Sequence, residues 1–128
     1  MPASDATRKP TAAELELLRT LWQTGPATVK DVHHAMQAER PALTYANVLR
    51  LMQVMHGKGL LARDESQRSH VYMAAHAQDA LQTNLLKDLI QKAFSGSGKA
   101  LVLAALNDHV TDKEREEIKR FLKENPDA

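Results

Sequence analysis

The chain has 128 residues, 43% of them apolar and 26% charged, a composition that fits one globular domain or two very small ones and excludes a disordered or collagen-like chain. It holds no cysteine, which rules out a disulfide framework, a thiolate metal site and a thiol nucleophile. No apolar run approaches the ~20 residues of a membrane span and the N-terminus carries no signal-peptide core, so a cytoplasmic protein without a membrane partner is expected.

Residues 1 to 9 are polar and aperiodic, and a solvated, disordered tail is expected there. A first helix is predicted from Thr11. Thr11 and Glu14 form a capping box, with Pro10 just outside. Leu15, Leu18, Leu21 and Trp22 mark its inward face, which places Trp22 in the core, and Gly25-Pro26 ends it. Ala27 has room for a minimal strand only. Thr28 to Asp31 repeats the cap pattern and opens a second helix with Val29, Val32, Ala35 and Met36 inside and Lys30, His33, His34 and Gln37 outside.

After the break Arg40-Pro41-Ala42, a third helix opens at Thr44. Val48, Leu51, Met52 and Met55 recur at i, i+3, i+4 and i+7, one apolar stripe on a 3.6-residue period. Tyr45, Asn47, Arg50, Gln53 and His56 occupy the other faces. Gly57 and Gly59 are expected to end the helix by taking positive φ. Leu60 to Ala62, the polar run Arg63 to Ser69 and the β-leaning His70 to Met73 then read as a hairpin. Three short helices followed by a hairpin predict a winged helix-turn-helix.

A long helical pattern follows from Ala77 to Phe94, carrying Leu81, Leu85, Leu86, Leu89 and Ile90. Ser95 to Gly98 breaks it. Lys99 to Leu106 is apolar on nearly every side, with Leu101, Val102 and Leu106 prominent. Thr111 and Glu114 form another capping box, opening a last helix with Ile118, Phe121 and Leu122 inward, and Asn125-Pro126 stops it. Three helices of this size are too small for a self-sufficient core. The C-terminal part is therefore expected to be a dimerisation arm, built on Leu85, Leu86, Leu89, Ile90, Phe94, Leu101, Val102, Leu106, Ile118, Phe121 and Leu122. Packing back onto the N-terminal half as a monomer is the alternative. The fold predicted is mainly α: a winged-helix domain over 10–75 and a helical dimerisation domain over 76–124.

No catalytic constellation stands out: there is no G-x-S-x-G, no H-E-x-x-H and no phosphate-binding glycine loop. His33 and His34 are adjacent on a helix and point about 100° apart, a poor arrangement for one ion. No enzyme, cofactor or metal site is expected. Between residues 40 and 70, Arg40, Arg50, Lys58, Arg63 and Arg68 oppose Asp64 and Glu65, a local excess of +3. That patch is modest for a nucleic-acid binder, so symmetry or base contacts must supplement bulk charge.

Several phrases, in order, resemble the penicillinase-repressor family of bacterial regulators (the BlaI/MecI/CopY type). They are Glu14 to Leu18 with Leu21-Trp22, Ala27 to Val32, the helix from Thr44, Lys58 to Leu61, Arg68 to Tyr72 and Lys99 to Leu103. The resemblance spans about residues 10 to 124. It implies a homodimeric transcriptional repressor that blocks a promoter by binding double-stranded DNA at a palindromic operator. The third helix would lie in the major groove, with the wing at phosphate or minor groove.

Carried onto this sequence, the DNA-facing positions are Thr44, Tyr45, Ala46, Asn47, Arg50 and Gln53, joined by Arg68 of the wing and Lys30 of the second helix. Asn47 and Gln53 suit adenine, Arg50 suits guanine, and Thr44, Lys30 and Arg68 suit phosphates. The family pattern often has Thr at the positions of Asn47 and Arg50, so a relative's operator does not transfer. Members that control β-lactam resistance are cut by a partner protease at an Asn-Phe bond. The aligned pair here is Ala104-Ala105, which does not support a regulatory protease as partner. The copper-responsive branch uses a cysteine motif absent here. The competing function is a winged-helix protein-interaction module without specific DNA binding.

Overall fold

The computed structural model describes residues 9–127, so the expectation of a disordered tail lies, save for Lys9, outside the described residues. Helices α1 (Ala12–Thr24), α2 (Val29–Gln37) and α3 (Tyr45–Gly57) are followed by strands β1 (Leu61–Asp64) and β2 (Val71–Ala74), then by α4 (Gln78–Ala93), α5 (Gly98–Asp108) and α6 (Asp112–Glu124). This is a winged helix followed by C-terminal helices. The chain packs as two units, one ending at Asn84 and one beginning at Leu85, so the division falls inside α4.

The starts of the helices follow from their caps. Thr11 and Glu14 satisfy each other's backbone N–H, Thr11 N to Glu14 Oε1 at 2.9 Å and Glu14 N to Thr11 Oγ1 at 3.2 Å. Thr28 and Thr44 accept from Asp31 N and Asn47 N, and Thr111 with Glu114 forms a second capping box. Each such cap stabilises its helix by about 1 kcal/mol. Ser97 caps α5 in the same way, just after Ser95 and Gly96 reverse the chain at φ 51° and 84°.

In the N-terminal unit, Leu17, Leu18 and Leu21 of α1, Val32 and Met36 of α2, and Val48, Met52 and Met55 of α3 are buried together with Leu60, Leu61 and Tyr72. Burying side chains of this size contributes roughly 1.5–3 kcal/mol each. β1 and β2 pair antiparallel, Leu61 with Ala74 through Asp64 with Val71. Ala27 does form the minimal third strand, exchanging backbone bonds with Tyr72 at 2.9 and 2.8 Å.

Three local expectations are corrected. The buried stripe of α1 is Glu14, Leu17, Leu18 and Leu21, whereas Leu15 is only half-buried. A carboxylate at the head of the stripe disguises its period. Trp22 is not core: half-buried at the rim, it donates from Nε1 to the His76 carbonyl at 3.2 Å. Gly57 is the last residue of α3, and only Gly59 takes positive φ (84°). Arg63 and Asp64, the first residues of the polar run that follows Ala62, extend strand β1.

The C-terminal unit is built differently. No residue described from Leu85 onward is buried. Leu86, Leu89, Val102, Leu103, Phe121 and Leu122 are exposed, and Leu85, Ile90, Phe94, Leu101, Leu106 and Ile118 are half-buried. Among the described residues no helix is long and apolar enough to cross a membrane.

Candidate nucleic-acid interface

α3 is held from one side and open on the other. Val48, Met52 and Met55 lock its inner face into the core. Thr44, Tyr45, Ala46, Asn47, Arg50 and Gln53 are all exposed on the remaining faces, with Tyr45 at 47%. Its N-terminus is positioned by α2. A carbonyl can only accept, so His33 donates through Nε2 to Leu43 O at 2.8 Å, and its ring meets that of Tyr45 edge-on at 6.1 Å. The histidine expected on the solvated face of α2 is therefore a brace for the turn into α3. Among the described residues no group of three His, Asp or Glu side chains is placed to hold a metal ion.

Between α3, the start of α2 and the hairpin runs a groove of about 270 Å³. Lys30, Tyr45, Gln53 and Arg68 all line it, so four of the positions read from the sequence converge there from three elements. Thr44, Ala46, Asn47 and Arg50 lie outside it on the exposed side of α3. The groove also holds Arg63 and His70, the two ends of the wing read over 63–70 in the sequence, and Tyr72, which that reading did not include. The signal for Tyr72 was the register: once Arg63 is placed in β1 it stands opposite Tyr72, and cross-strand neighbours share a face.

The charge of the region is smaller than its residue count. Arg40 pairs with Glu16 at 2.8 Å, Lys58 with Glu14 at 2.7 Å, and Arg63 with Glu65. Arg50 and Arg68 make no ion pair among the described residues, and neither does Lys30. Among the described residues, the cations of this region left without an ion pair thus sit on the outer face of α3, on the wing and at the start of α2. At the hairpin, the Tyr72 hydroxyl and then the Glu65 carboxylate hold the Arg63 guanidinium above its ordinary pKa. The Arg63 hydrogen bond holds Glu65 below the usual carboxylate range. The Ser66 backbone N–H does the same for Asp64.

A helix with an open polar face and a hairpin beside it is the DNA-reading arrangement of a winged helix. The penicillinase repressor family model matches residues 10–124. The chain belongs to the penicillinase repressor family. No curated protein matches it in a sequence search. The members of this family are DNA-binding transcriptional repressors, not enzymes, and that coarse function carries to this chain.

Proposed function

We propose that the protein acts as a homodimer that seats two winged helices on the halves of a palindromic operator and blocks the promoter beneath. α3 enters the major groove. Asn47 and Gln53 read adenine and Arg50 reads guanine through bidentate bonds. Thr44 at the α3 N-terminus, Lys30 and Arg68 meet phosphates. The observation that carries this reading is the division of α3 into a locked apolar side and an open side with Asn47 and Arg50.

The dimer rests on a separate physical argument. Helices in a protein owe most of their stability to burial of an apolar face. The C-terminal unit buries none of its residues among those described, while Phe121 and Leu122 stand 54% and 56% exposed. A second copy, joining about a two-fold axis, covers the same patch on both subunits and matches a palindrome. Release by cleavage at Ala104-Ala105 is not part of the proposal, because the bond chemistry of the cleaved relatives is missing there.

Sedimentation velocity of the free protein and of its complex with a promoter fragment tests the assembly. A dimer at micromolar concentration and two protomers per fragment are expected. A 14.2 kDa species that persists and binds singly would overturn it. The protein-docking alternative predicts no preference for the promoter fragment over random duplex.

A further inference from the structure

Glu65 stands in the hairpin turn two residues beyond Arg63. Arg63 donates from Nε to Glu65 Oε2 at 2.7 Å, and Nη2 pairs with the same oxygen. That is the Nε–Nη2 edge with which arginine grips a carboxylate or phosphate in bidentate fashion. The other side of the guanidinium is fixed independently. Nη1 donates to the Tyr72 hydroxyl at 3.3 Å, and Cζ lies 5.7 Å from the centre of the Tyr72 ring. Tyr72 is itself buried and bonded through its backbone to Ala27. Arg63 is thus a preorganised cation whose side chain is 21% exposed, in the same groove as Arg68 and Lys30, while its carboxylate partner is 54% exposed.

We propose that Arg63 is a phosphate-gripping residue of the duplex interface, and that Glu65 occupies its site as a tethered stand-in for the phosphodiester, which a bound duplex displaces. This rests on the reading of α3 and the hairpin as a DNA-binding surface. A half-exposed ion pair is weakly held in water, so a backbone phosphate can take the edge without unseating the guanidinium from Tyr72. The tether lowers the free protein's grip on duplexes of any sequence. It leaves α3 to supply the preference for one site, because a phosphate contact carries no base information. Glu65 therefore sets how tightly duplexes of every sequence are held, and leaves the ratio between sites to α3.

The experiment is fluorescence anisotropy of the full chain on a labelled random-sequence duplex and on a labelled fragment of its own promoter, across a salt series. Glu65→Gln is expected to tighten binding to both duplexes roughly fivefold and to steepen the slope of log K against log salt by about one. Arg63→Gln is expected to weaken both, and Arg63→Lys, which keeps the charge and the hairpin, to restore part of the loss. In the Arg63→Gln background, Glu65→Gln is expected to change affinity by less than twofold, the sign that the two residues act as one unit. Equal tightening with and without Arg63 would overturn the tether and leave only general repulsion by Glu65. No change on Glu65→Gln in a wild-type chain that binds duplex would overturn it too, with the DNA-binding reading intact. Absence of salt-steep binding by the wild-type chain to either duplex would overturn both.

Discussion

Lys58, just past the end of α3, donates from Nζ to Glu14 Oε2 at 2.7 Å, and Glu14, in the first turn of α1, is only 2% exposed. The same carboxylate accepts the Thr11 N–H through its other oxygen. One buried side chain therefore caps α1 and ties it to the C-terminal end of the recognition helix. Burial alone would raise the Glu14 pKa, but the Lys58 hydrogen bond and the Thr11 N–H outweigh it and hold the carboxyl below its ordinary value.

A carboxylate with a lowered folded-state pKa contributes stability that is present above its unfolded pKa and lost as pH falls through the folded one. Thermal melting followed from neutral pH downward should show wild type losing stability below about pH 5. Glu14→Gln, less stable at neutral pH, should lose less over the same range. Lys58→Met should be the costlier change at neutral pH, by about 3 kcal/mol in urea denaturation, because it strands a buried charge. Parallel pH curves for wild type and Glu14→Gln would contradict this role.

Gly59 sits at φ 84° between α3 and β1 with open space where a Cβ would lie. Gly59→Ala should therefore cost only the conformational strain, about 1 kcal/mol by denaturation, with no loss of packing. Gly57, helical and equally uncrowded, should gain up to about 1 kcal/mol on change to Ala. The opposite signs of the two substitutions are the check.

Arg50→Ala should cost roughly 1–3 kcal/mol on the preferred promoter site and little on random duplex, because Arg50 is assigned to a base edge. Lys30→Ala and Arg68→Ala should weaken both duplexes alike and lower the salt slope by about one each. Competition titrations separate the two behaviours. Equal losses on both duplexes for Arg50→Ala would remove it from the base-reading set.

Phe121→Glu places a charge on the exposed apolar stripe of α6 that also holds Ile118 and Leu122. If a second copy covers that stripe, the dimer should weaken by about 2 kcal/mol or more, read as a shift to monomer in sedimentation equilibrium. The N-terminal unit, whose buried residues all precede Leu85, is expected to keep its fold. An unchanged association constant would send the dimer contact elsewhere.

Much of this architecture is legible in the sequence because its signals are local. Thr11, Thr28, Thr44 and Thr111 announce helix starts by their own side chains, and all four serve as caps. The apolar spacing of α3 identifies which side turns inward, and so which residues stay exposed. What stayed hidden depends on partners distant in sequence. Glu14 reads as a surface cap until Lys58 arrives beside it, and its charge shifted the apparent stripe of α1 from Leu17 toward Leu15. Arg63 reads only as the start of a polar run until the register sets it against Tyr72. Counting charges between residues 40 and 70 credits Arg40 and Lys58 to the interface. Their partners Glu16 and Glu14 lie outside that window, on α1.

The most direct measurement is wild-type fluorescence anisotropy on fragments of the protein's own promoter region against random duplex, over a range of salt. A dimeric repressor predicts steep salt dependence on both and a preference of about a thousandfold or more for one palindromic fragment. Equal affinity for the promoter fragments and random DNA at every salt concentration would contradict sequence-specific reading by α3.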